Sequence, residues 1–82
     1  MNSYKTYGVC SRQINFEVVD GKVTNVSFVG GCNGNLQGIG ALVEGMDVDD
    51  AIARLQGISC NGRPTSCPDQ LAQALLKYKA SL

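Results

Sequence analysis

The sequence predicts an α+β domain: a small antiparallel sheet of two or three strands packed against three helices. Three observations carry this prediction. Ile14, Phe16 and Val18 alternate with polar neighbours, and Asp20-Gly21 then turns the chain back into a second alternating run. Past Gly30-Gly31 the apolar period changes from two to that of a helix, three times over. All strand-like segments precede all helix-like ones, which is the order of an α+β fold. Eighty-two residues make one domain, taken as 1–82. A chain this short buries only about 60–65% of the surface its unfolded form exposes, so its core is modest.

The elements follow in order. Residues 3–8, SYKTYG, alternate weakly and fit an edge strand. Cys10 follows in GVCS, at a turn or strand start. The return strand spans residues 22–29, with Val23, Asn25 and Ser27 on one face. Thr24, Val26 and Phe28 take the other face, and Val26 and Phe28 are expected to share the core with Phe16 and Val18. Gly30, Gly31 and Gly34 end the strand around Cys32 and let the backbone turn. A first helix fits residues 35–43, with Leu36, Ile39, Leu42 and Val43 near one face. Gly38 and Gly40 allow close packing, and Gly45 suits the helix end. Asp47 is the N-cap expected for a second helix, with Asp49 and Asp50 in its first turn and a stripe of Val48, Ala51, Ile52 and Leu55. Gly57 ends it. A third helix starts at Ser66 or Cys67 with Pro68 in its first turn, and buries Leu71, Ala74, Leu75 and Tyr78.

Composition narrows the function. Lys+Arg and Asp+Glu are both 7, so the chain has no net charge. That argues against nucleic acid or an anionic membrane as a partner, since both need a basic face. A neutral surface also does little to prevent self-association, so a homodimer is a candidate state. The N-terminal MNSYKTYG has no apolar signal-peptide core, and no apolar run reaches membrane-spanning length. The expected location is the cytoplasm, where cysteines favour metal binding or redox chemistry over structural disulfides.

The four cysteines are the candidate site: Cys10, Cys32, Cys60 and Cys67. Each falls at a break in regular structure, among Gly, Ser, Asn and Pro. A structural cysteine more often sits mid-strand or mid-helix as a small hydrophobe. Cys32 and Cys67 adjoin helix starts, where unpaired N–H groups favour the thiolate, the form that ligates metal or attacks as a nucleophile. The sequence has no histidine, so a metal would be held by thiolates, with carboxylate or exogenous ligands open as additions to the set, and zinc or an iron–sulfur cluster is the expected cofactor. The spacing includes no C-x-x-C pair. Unligated thiols in a reducing compartment are the plain alternative.

Other motifs carry less. GGCNGN has the glycines to cradle a phosphate, but it lacks the P-loop lysine, and a tight turn accounts for it. Arg63 reads as a solvated loop cation, and Asp47, Asp49 and Asp50 read as helix capping.

Thr65-Ser66-Cys67-Pro68-Asp69 spells TSCPD. With GVCS around Cys10, GGCNGNLQGI over residues 30–39 and SCPDQLAQAL over residues 66–75, the chain resembles the TSCPD domain family over almost its whole length. The same domain is known from the C-terminal end of adenosylcobalamin-dependent (class II) ribonucleotide reductases. The resemblance therefore implies an accessory or regulatory role beside such an enzyme in deoxyribonucleotide synthesis, with the reductase as a partner. Family members are often labelled ribonucleoside-diphosphate reductases, but 82 residues do not hold that enzyme's barrel and nucleotide sites.

The order of elements is also similar to the U-type iron–sulfur scaffold proteins. By that likeness Cys10, Cys32 and Cys67 fall at the three cysteine positions of the scaffold. Ser66 stands where the scaffolds carry histidine, Ser11-Arg12 replaces their Gly-Asp, and Cys60 is an extra thiol. The functional expectation is thus a cysteine-rich zinc or iron–sulfur module. The competing readings are a cluster scaffold or carrier, a thiol-redox protein using Cys60 and Cys67, and an interaction domain with incidental thiols.

Overall fold

The computed structural model describes residues 2–31, 33–59 and 65–82, and of Asn33 the backbone alone. Three strands come first: β1 (Asn2–Lys5), β2 (Ser11–Val19) and β3 (Lys22–Gly30). Three helices follow: α1 (Asn33–Val43), α2 (Val48–Leu55) and α3 (Cys67–Ala80). The strands form one antiparallel sheet in the order β1-β2-β3. This is the predicted α+β architecture. No described helix is long and apolar enough to cross a membrane.

One core joins the layers. Ile14, Phe16 and Val23 from the sheet meet Val43, then Val48, Ala51 and Ile52, then Leu71, Ala74 and Leu75. The apolar stripes read from the sequence supply nearly all of it. Tyr78 adds its ring edge to Phe16, with centroids 6.2 Å apart and planes at 81°, a favourable geometry for two aromatic quadrupoles. Gly40 brings α1 against β3, since a Cβ there would lie 3.0 Å from the Val26 carbonyl oxygen. Gly38 faces open space instead.

The hairpin turns at Asp20 and Gly21, both with positive φ (52° and 76°). This is the backbone hand that matches the twist of paired strands. β1 is shorter than the expected 3–8 strand. It ends at Lys5, although Thr6 stays against β2, its N–H donating to the Arg12 carbonyl at 3.2 Å and its Oγ1 to the Ser11 carbonyl.

Two irregularities reset the alternation of the long strands. Asn15 pairs with Ser27 and Glu17 with Thr24, so Asn25 and Val26 together oppose Phe16. Asn25 takes φ 53°, the left-handed conformation that a short polar side chain tolerates. This bulge puts Val23 on the core face together with Val26 and Phe28. The strict alternation expected of this strand, with Val23 opposite to them, is therefore corrected. The second bulge lies on β2, where Ser11 pairs with Gly30 and Gln13 with Val29, leaving Arg12 as the extra residue. It turns Ser11 inward, three positions before Ile14 on the same side.

Two helix details also differ from expectation. Leu42 is 78% exposed, and only Val43 of that pair enters the core. Asp47 precedes α2 without a side-chain capping bond. Its carboxylate instead meets Lys22 Nζ at 3.0 Å, alongside an isolated bridge between the two residues.

A candidate thiol site at the head of the last helix

The site is built from three chain segments at one end of the domain. The last helix starts at Cys67 because Ser66 caps it. Ser66 has an extended backbone (φ −149°, ψ 170°), and its Oγ accepts from Asp69 N at 3.2 Å. The same hydroxyl donates to the Ile58 carbonyl at 2.6 Å, tying the preceding loop to the helix head. Pro68, in the first turn, has no N–H to leave unpaired.

Asp69 sits beneath this cap and is only 6% exposed. Its carboxylate accepts from Gly57 N at 2.7 Å, from Thr65 Oγ1 at 2.5 Å and from the Gln73 side chain. Burial pushes its pKa up, but those three hydrogen bonds outweigh burial and hold it below the usual aspartate value. Gln70 extends the lattice: its Nε2 donates to Thr65 Oγ1 at 2.9 Å, and its Oε1 accepts from Tyr7 N at 3.0 Å. That last bond docks the β1–β2 loop onto α3. Thr65, Ser66, Asp69 and Gln70 are thus committed to holding the backbone. Cys67 stands beside them, and its bond runs to the sheet instead.

Cys67 is half-buried, and its Sγ lies 3.3 Å from Ser11 Oγ, where either atom can donate. Ser11 is 2% exposed, brought inward by the Arg12 bulge. Cys10, immediately before it, is exposed. Gly31 closes on the same residue from the end of β3. A Cβ on Gly31 would lie 3.1 Å from Ser11 N and 2.8 Å from Leu36 Cδ1. Its φ of 84° is also one that glycine alone adopts readily. Ser11 is therefore the junction of the Cys10 loop, the β3–α1 turn and the head of α3.

The structure places two of the four predicted site residues, and Ser11 links them. Cys10 and Cys67 are both free thiols. Cys32 and Cys60 lie outside the described residues. Among the described residues no three ligating side chains cluster around a metal position. The donors at hand are sulfurs, since the nearby carboxylate, Asp69, is already engaged by three hydrogen bonds. Such donors suit zinc or iron rather than a hard cation. Sequence reasoning treats Ser11 only as a departure from the scaffold pattern. Its burial depends on a bulge that no residue type announces.

No curated protein and no solved structure matches the chain. The sequence model of the TSCPD domain matches residues 2–79. With nearly the whole chain covered, and with the residues of that motif building the head of α3, the protein belongs to the TSCPD domain family.

Proposed function

We propose that this domain is a cysteine-based module for a soft metal, either zinc or the iron of an iron–sulfur cluster. Cys10, Cys32 and Cys67 are the ligands proposed, and Cys60 is a fourth sulfur available to complete the set. The observation that carries the proposal is the meeting at Ser11. The Cys67 sulfur lies 3.3 Å from its hydroxyl, Cys10 is its chain neighbour, and Gly31 is packed on its backbone. When bound, the metal would supply a structural clamp or an electron-transfer centre.

The family supports a cellular setting as well. By its resemblance to the C-terminal domain of adenosylcobalamin-dependent reductases, the module serves ribonucleotide reduction as an accessory or regulatory domain. The reducing cytoplasm suits its thiols. The likeness to the U-type scaffolds supports a cluster as cargo, a reading that needs a labile cluster.

Metal analysis of protein purified without oxygen tests the proposal. Near-stoichiometric zinc or iron, reduced strongly by Cys10→Ser or Cys67→Ser, is the expected result. Four freely reactive thiols with neither metal bound would remove it.

A further inference from the structure

We propose that Ser11 is a positioning residue for the Cys67 sulfur, donating its hydroxyl to the thiolate when a metal is bound. This rests on the metal-binding reading above. Ser11 is 2% exposed, and Cys67 Sγ at 3.3 Å is its hydroxyl's partner. In the free protein either atom can donate. A ligating cysteine has lost its proton, so in the loaded protein the bond runs one way, from Ser11 O–H to sulfur.

The rest of Ser11 is fixed independently. Its carbonyl accepts from Thr6 Oγ1, and its backbone is boxed in by Gly31. The Arg12 bulge turns the side chain inward. The hydroxyl is thus held on a rigid frame and aimed at one sulfur. Such a donor orients the ligand and draws electron density from the metal–sulfur bond.

Cobalt(II) is the probe, titrated into the full chain without oxygen. The wild type should bind it with a sulfur-to-metal charge-transfer band. Ser11→Ala should bind it about 10- to 100-fold more weakly, with the band moved to longer wavelength because the sulfur has lost its donor. Thr6→Val removes a bond to the same residue's carbonyl, so it should lower the melting temperature and leave the band in place. The unmodified chain gives a second readout, since exchange into D2O should shift its cobalt–sulfur stretch. An Ser11→Ala protein with the wild-type band and affinity overturns the assignment while the metal site stands. An unshifted stretch in D2O does the same. A wild type that binds no cobalt overturns both.

Discussion

The two ends of α3 are built on opposite principles. At its head, around Cys67, polar groups are buried and each has a partner: Ser11, Ser66, Asp69 and Gln70 are all at most 6% exposed. Roughly 17 Å away along the helix, Tyr78 and Lys79 border an open cleft of about 540 Å³ with Val18, Val48 and four aspartates. There the charges are solvated. Lys22 and Asp47 are 54% and 60% exposed, and the Lys79–Asp49 pair is comparably open. Polar side chains occupy both ends, but their energetic weight differs. A buried hydrogen bond whose partner is removed leaves an unpaired group out of water, whereas an exposed ion pair returns both charges to solvent. The thiol end is where the fold spends its order.

That contrast predicts a graded series of effects. The largest is Gly31→Ala. The new methyl meets Leu36 and Ser11 in a left-handed conformation, so the loss should be about 2–4 kcal/mol, read from denaturant unfolding. Next is Asp69→Ala, which leaves Gly57 N without its acceptor and takes the short acceptor from the Thr65 hydroxyl, and should cost about 2–3 kcal/mol. Its pH dependence has a definite sign. The folded carboxyl sits below the usual aspartate value, so its stabilisation is complete above about pH 4. It is lost as pH falls through the lowered folded value. The stability gap between wild type and Asp69→Asn should therefore shrink on acidification below pH ~4. A gap that stays constant would mean the carboxylate charge contributes nothing. The smallest effect is at the other end, where Lys22→Ala or Lys79→Ala should change stability by less than about 1 kcal/mol. Either lysine variant proving as damaging as Asp69→Ala would break the comparison.

The same contrast explains what the sequence makes legible. The hairpin at Asp20-Gly21, the start of the last helix at Ser66 or Cys67 and the stripe of Leu71, Ala74 and Leu75 follow from local rules, and the structure has them. The misplacements come from interactions that local rules do not contain. Period-two reading cannot cross a bulge, so Val23 appears on the wrong face and Ser11 appears unremarkable. Asn25 is at least a residue type that accepts positive φ, while Arg12 offers no comparable sign. Asp47 has the side chain of a cap, but Lys22 across the hairpin takes its carboxylate. Leu42 fits a helical stripe, yet α1 rests on β3 through Gly40 and turns Leu42 outward. At the site, the thiols and the TSCPD residues are readable as letters. That Thr65, Asp69 and Gln70 tie the head of α3 to two loops is visible only once Gly57 and Tyr7 are brought beside them.

X-ray absorption at the metal edge of anaerobically purified protein tests the central claim most directly. The expected result is a first shell of sulfur at about 2.3 Å, with fewer sulfurs when Cys67 is replaced by serine. A shell of oxygen or nitrogen alone, unchanged by that substitution, would contradict it.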